Sequence, residues 1–115
     1  MPSRNDALAA SATVDEVVPG AVLALRGRLD VGSAGAVRDA LHRAVDLGTG
    51  DLVVHLDNAQ VHDAAALGVL LGAHRRARLA DRRLVLMGVP DRLERLIRHT
   101  RLHRVLVRAP GRVTA

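Results

Sequence analysis

"DLVVHLDNAQVHDAAALGVLL", residues 51–71, sets the fold class. It opens on a nearly continuous apolar run, Asp51 to Leu56, of the length and composition of a central strand covered on both faces. A strand-like stretch ends near His62, Asp63 follows in a position to cap a helix, and an apolar pattern with helical spacing begins at Leu67. Strand, acid, helix is the beginning of a β-α-β unit. The unusual feature is the junction itself: Ala64, Ala65 and Ala66 occupy the first turn, where polar side chains ordinarily do the capping.

The pattern extends in both directions. Upstream, "SATVDEVV" and "AVLALRGRL" are strand candidates over 11–18 and 21–29, joined by the Pro19-Gly20 turn signal into an antiparallel hairpin. Asp30, Val31 and Gly32 read as a connection, with Ser33 capping a helix to Leu47 whose inner face carries Val37, Leu41, Ala44 and Val45. Gly48 is the stop signal. Downstream, a second helix covers 64–79 with Leu67, Leu70, Leu71 and His74 on one face, and "RRLVLMGV", 82–89, is another buried-looking strand. Pro90 and Asp91 open a third helix with Leu93, Leu96 and Ile97 inward and Asp91–Arg95 and Glu94–Arg98 as i,i+4 pairs. "RVLVR", 104–108, is a short last strand. Strands alternating with helices after a hairpin predict an α/β single domain with a mixed four- to five-stranded sheet, parallel at its centre, and helices packed on it. Residues 1–10 and 109–115 are expected to be tails flanking a domain over 11–108.

Bulk properties narrow the function. A chain of 115 residues is one domain. Folding leaves about 6,000 Å² exposed of about 17,700 Å², enough burial for a core without staples. The absence of cysteine excludes disulfides, iron–sulfur clusters and thiol catalysis, and the absence of aromatic residues removes base-stacking platforms. No apolar run is long enough to insert in a membrane, and "MPSRNDALAA" has no charged-then-apolar signal pattern, which makes the cytoplasm the expected compartment. Charge is lopsided. Through His74 five Arg face nine acids, a balance of −4; from Arg75 onward twelve Arg face three, a balance of +9. Solvated helix faces explain such a half most simply; an acidic protein partner or a phosphate backbone is the functional alternative.

Chemical motifs are few. With no lysine there is no phosphate-binding loop of the G-x-x-x-x-G-K type, and Ser3, Ser11 and Ser33 lie outside any nucleophile elbow. Asp30, Asp57 and Asp63 fall near strand ends, where caps and turns account for them. His99 and His103 are four apart, but a helix end falls between them and no third metal ligand is evident. His55 and His62 suit structural hydrogen bonding. The reading is a non-enzyme with no metal and no cofactor.

Three segments, "LALRGRLDVGSAGAVRDAL" (23–41), residues 51–71 above and "RRLVLMGVPDRLERLIRHTRLHRVL" (82–106), together resemble the STAS domain, in the form of the small bacterial anti-sigma factor antagonists. The similarity covers Val14 to Val107. It implies a protein that docks on an anti-sigma factor of the GHKL-type kinase fold to regulate a sigma factor in transcription, with control by phosphorylation of the second hydroxyl residue in an Asp-Ser-Ser/Thr-Gly-Leu-Gly segment. Asp63, Leu67 and Gly68 match that segment. Ala64 and Ala65 replace the hydroxyl residues, with Ala65 at the phosphoacceptor position, and Ala66 replaces the glycine. Alanine has no nucleophilic oxygen, so the resemblance predicts docking through Asp30, Asp63 and Ala64, Ala65, Ala66 and Leu67 without control by phosphorylation there. It also marks two departures: His55 stands where the family carries an acid in the central strand, and Arg101 where it has glycine. A homodimer is compatible with the resemblance. A STAS subunit bracing the ATPase of an ABC-type lipid transporter, and a small-ligand sensor, are the alternatives. Against the sensor, the acids at the strand ends repel phosphate.

Overall fold

The computed structural model describes residues 10–61 and 63–109; His62 and all but Ala10 and Ala109 of the expected tails lie outside the described residues. The chain forms β1 (Thr13–Val18), β2 (Val22–Leu29), α1 (Val31–Leu47), β3 (Asp51–Val61), α2 (Ala65–Leu79), β4 (Arg83–Met87), α3 (Asp91–His99), a 3-10 turn (Leu102–Arg104) and β5 (Val107–Ala109). The five strands stand in chain order across one sheet, β1 antiparallel to β2 and the others parallel. This is the mixed sheet with a parallel centre that the alternation of elements predicts.

Each crossover from β2 onward moves the chain one strand in the same direction. Crossovers of one hand then place all three helices on the same face. A single cluster of buried side chains joins Leu23 and Leu25 of β2, Leu52, Val54 and Leu56 of β3, Leu41 and Val45 of α1, Leu70 and Ala73 of α2, and Leu93 and Ile97 of α3. The other face of β3 tells against the expectation of cover on both sides: Val53 and His55 are half-buried and Asp57 is exposed. Only the Leu52–Val54–Leu56 side is closed over, as the period of two along a strand dictates for a one-sided sheet.

Several element edges differ from the sequence reading. β3 is not one of them: it runs to Val61, in line with the strand-like stretch expected to end near His62, and a one-residue register shift against β2 between Ala24 and Arg26 lets the longer strand follow its neighbour. The cap of α1 is Asp30, not Ser33: Asp30 Oδ1 accepts from the Ser33 backbone N–H at 3.1 Å, and Ser33 Oγ accepts from the Asp30 N–H at 3.1 Å. That reciprocal pair draws Val31 and Gly32 into the helix rather than the connection. In α2 the buried face is Ala66, Leu67, Val69, Leu70, Ala73 and Ala77; Leu71 and His74 are half-exposed. In α3 the Glu94–Arg98 pair forms at 2.9 Å, whereas Asp91 and Arg95 make no ion pair among the described residues. Arg101 adopts φ +65°, the left-handed conformation expected where relatives carry glycine, so the chain leaves α3 in a 3-10 turn and β5 starts only at Val107.

β4 begins at Arg83 because the Arg82 N–H is still bonded to the Ala77 carbonyl at the end of α2, at 2.8 Å, while its side chain turns inward. Arg82 is 4% exposed, and its guanidinium donates to six carbonyls: Gly20 (2.6 Å), Ala44 (3.1 Å), Val45 (2.9 Å), Thr49 (3.3 Å), Gly50 (2.9 Å) and Asp51 (3.3 Å). It ties the β1–β2 turn, the last turn of α1 and the α1–β3 connection together, satisfying carbonyls that a helix C-terminus leaves open. Gly48 ends α1 with extended backbone rather than a left-handed cap; a Cβ there would collide with the Gly20 carbonyl and stand 3.3 Å from Arg82 Nη1. The glycine stop signal was right in place, but the reason is close approach.

Candidate functional site

Parallel strands β2, β3 and β4 all end at the same edge of the sheet, so α1, α2 and α3 all start there. The residues singled out by the sequence meet at that edge, and the two helix starts that matter are built differently.

At α1 the start is closed. Besides its capping bond to Ser33, Asp30 accepts from Arg28 Nε at 2.7 Å through Oδ2, and Ser33 Oγ donates to the Arg28 carbonyl at 2.9 Å. The Arg28 hydrogen bond, with help from the Ser33 N–H, holds the Asp30 carboxyl below the ordinary carboxylate range. Gly27, at φ +94°, brings the chain past residues 10–12 so closely that a Cβ would stand 2.9 Å from the Ser11 carbonyl. This accounts for the Gly-x-Leu-Asp pattern: glycine for the approach, leucine for the core, aspartate for the cap.

At α2 the start is open. Asp63 Oδ1 accepts the Ala65 N–H at 2.9 Å, as the capping argument requires, but Ala64 at the cap position offers no side-chain bond. Ala64 is exposed and Ala65 half-buried, whereas Ala66 is 0% and Leu67 7% exposed. Ala66 and Leu67 therefore support the turn from below, and its outer surface is Asp63, Ala64, Ala65 and Gly68. Gly68 and, on α1, Gly35 face open space. Val31, 74% exposed at the start of α1, is the large apolar side chain at this smooth edge that the sequence reading missed. Its signal was its place directly after a capping aspartate, where the first helical turn faces outward.

Beside the α2 start lies a groove of about 710 Å³ whose other wall is α3: Arg92, Arg95, Leu96, Arg98 and His99 face Asp63 and Ala64 across it. Arg95 and Arg98 were expected only as i,i+4 partners of Asp91 and Glu94, although the spacing of three of Arg92, Arg95 and Arg98, out of phase with core residues Leu93 and Ile97, puts them on one outward face. Asp57, expected near a strand end, is instead inside β3, four residues before its last residue Val61, with its carboxylate packed against Gly88. His55 Nδ1 is 3.7 Å from Asp57 Oδ1. His99 ends α3 and His103 sits in the 3-10 turn beyond left-handed Arg101, so their spacing does not make one helical face. Among the described residues no three His, Cys, Asp or Glu side chains cluster to hold a metal ion, and no helix is long and apolar enough to cross a membrane.

Comparison with known proteins gives this one-sided α/β sheet a family. The STAS domain family profile matches residues 10–113. The anti-sigma-B factor antagonist of Staphylococcus aureus (strain NCTC 8325 / PS 47) is 33% identical over 76 residues, covering 66% of this chain and 70% of that protein. Among solved structures, an anti-sigma-factor antagonist (STAS) domain protein from Planctomyces limnophilus superposes with a TM-score of 0.69 at 13% identity, covering 90% of this chain and 92% of its own. The Bacillus cell fate determinant SpoIIAA in its phosphorylated form gives a TM-score of 0.63 at 17% identity, covering 85% and 90%. The chain belongs to the STAS domain family. Within that family it fits the anti-sigma factor antagonists.

Proposed function

We propose that this protein is an anti-sigma factor antagonist whose docking turn is fixed in the uncharged state. It binds an anti-sigma factor of the GHKL kinase fold through the edge formed by Asp30, Asp63, Ala64 and Ala65, with Ala66 and Leu67 beneath, and thereby frees a sigma factor. One observation carries the reading: in a STAS domain, a partly exposed methyl group, that of Ala65, follows directly on the capped α2 start where the family resemblance places the phosphoacceptor hydroxyl. A phosphate would bring about −1.5 to −2 charges to that surface and disrupt a partner fitted to the neutral form. A methyl group cannot accept one, so docking would be controlled by the amount of the protein rather than by a kinase and phosphatase. The small side chains of Ala64, Ala65 and Gly68 allow close approach of a partner backbone, and exposed Val31 offers an apolar contact.

The test is to mix the protein with its host's GHKL-type anti-sigma factors and ATP. A stable complex by size-exclusion chromatography, with no phosphoprotein by intact mass, is the expected result. If no such anti-sigma factor binds, the reading is wrong.

A further inference from the structure

The groove between the α2 start and α3 has a charge that nothing so far accounts for. Arg92 and Arg95 make no ion pair among the described residues. Arg98 does pair, with Glu94 at 2.9 Å, but Glu94 also takes both ends of the Arg108 guanidinium at 2.9 Å, so one carboxylate serves two cations. The wall therefore keeps a net positive charge against one acid, Asp63, whose Oδ1 is held by the Ala65 N–H. The apolar part of the lining is Leu96, which packs on the core, on the α3 wall and exposed Ala64 opposite it.

From this arrangement we infer that the groove is a docking site for an acidic polypeptide segment of the partner protein, one carrying at least two carboxylates and an apolar side chain. Arg92 and Arg95 are three apart on one helix face, which sets their side chains about 5–6 Å apart at the root. Carboxylates two or three residues apart in a peptide match that spacing and can each meet a guanidinium fork. An apolar side chain beside them covers Leu96 and Ala64. Inorganic phosphate or a nucleotide fits less well: a compact polyanion cannot keep clear of Asp63, whereas a peptide can direct its acids to the α3 wall. The inference deepens the proposed docking through the α2 turn and rests on it, since the groove shares Asp63 and Ala64 with that turn. It assigns recognition to charge at α3, beside a turn that offers almost no side-chain chemistry.

The experiment uses the full chain and a fluorescein-labelled peptide, Asp-Glu-Leu-Asp-Glu-Leu, with Asn-Gln-Leu-Asn-Gln-Leu as its neutral counterpart. The acidic peptide is expected to bind at low salt, to shift the backbone amide resonances of Ala64, Leu96 and His99, and to weaken at least about tenfold in Arg92→Glu/Arg95→Glu. Raising salt from about 0.05 M to about 0.5 M should weaken it comparably, because the Debye length shrinks severalfold. Both arginines are exposed, so unchanged far-ultraviolet circular dichroism and melting temperature show that the variant folds. Equal binding of the neutral peptide, full affinity in the double variant, shifts confined to the Arg75–Arg78 end of α2, or displacement by phosphate or ATP at matched ionic strength would each overturn the inference. With an anti-sigma factor in hand the two ideas separate. A complex that ignores Arg92→Glu/Arg95→Glu removes the groove and leaves the docking reading standing; the absence of any complex removes that reading, while the peptide result still decides what the groove prefers.

Discussion

Replacing Arg82 by methionine keeps most of the volume of the stem and removes every donor from a buried junction. Six carbonyls from three segments lose their partner, four of them at 3.1 Å or less. A hydrogen bond from a charged group contributes about 1.5–3 kcal/mol, but these share one guanidinium and do not add. Two such bonds at about 1.5–2.5 kcal/mol each give a loss of about 3–5 kcal/mol, with the carbonyls of Ala44 and Val45 at the end of α1 among those that lose this donor. Domains of this size are held by about 5–15 kcal/mol, so the variant would sit near the edge of folding. Arg82→Lys is therefore the second variant. It keeps the charge near the negative end of α1, yet three donors on one nitrogen cannot span the distance from Gly20 to Gly50, so about half the loss remains. Urea unfolding followed by circular dichroism gives the numbers; at about 4 °C per kcal/mol the thermal midpoint should fall by about 12–20 °C for methionine. The neighbouring Arg83→Met is the control. Arg83 pairs with Asp51 at 2.8 Å on the open surface, and its loss should leave the midpoint unchanged within error. If Arg82→Met proved as harmless as Arg83→Met, the carbonyl network would not be what joins the three segments.

Arg101→Gly should raise stability by about 1 kcal/mol, because φ +65° is strained for any side chain and free for glycine; a lower melting temperature would mean that Arg101 makes a contact outweighing its strain. Acid should destabilise the fold through Asp30 and Glu94, whose folded pKa values lie below their ordinary 3.8 and 4.5 because Arg28 and Arg108 respectively hydrogen-bond them. Their contribution is complete above those ordinary values and is lost as pH falls through the depressed ones; Asp30→Asn should flatten the acid limb of a pH–stability curve, and an unchanged limb would discard that pair as its source. Ala65→Ser restores a hydroxyl on a half-buried position, and a GHKL-type kinase that docks on this edge should then incorporate one phosphate at residue 65 by mass mapping; a docked but unreactive complex would mean that the turn is not presented to the ATP site. Gly48→Ala should be strongly destabilising, with the Arg82 network displaced by the added carbon, and wild-type stability in urea would contradict the close approach to Gly20.

The alternation of elements, the hairpin at Pro19-Gly20 and the α2 start at Asp63 were all legible in the sequence, because each is a local pattern. What was misread depended on distance. Val53 and Val54 are equally apolar, so "DLVVHL" looks covered on both faces; only the common side of three crossovers reveals that the Val53–His55 face is open. Arg82 and Arg83 are chemically identical neighbours, and which one turns inward is decided by carbonyls that are 31 to 62 residues away in the chain. Asp30 read as part of a connection with Ser33 as the cap, whereas the two, three residues apart, bond each other reciprocally at the start of α1. The α3 arginines were legible only as part of a bulk charge and as i,i+4 partners of Asp91 and Glu94, since the groove exists only once α3 stands beside the α2 start.

The edge where the helices begin then divides its labour in a way neither the charge count nor the motif discloses. The α1 start is saturated: both oxygens of Asp30 and the hydroxyl of Ser33 are engaged within the chain, so Asp30 fixes the shape of the edge before it touches anything else. The α2 start is left almost bare of side chains: the Ala65 N–H is answered by Asp63 Oδ1, the Ala66 and Leu67 N–H groups by the Asp63 and Ala64 carbonyls at 3.5 and 3.0 Å, and methyl groups make the outer surface. A bare turn discriminates by shape and closeness of approach, and charge discrimination has to come from elsewhere. The adjoining α3 face supplies the uncommitted cations that could provide it. In a relative with hydroxyl residues at the α2 start, a phosphate could change the charge of the turn itself; here the alanines remove that lever, and under the proposed docking the response to charge falls to Arg92 and Arg95.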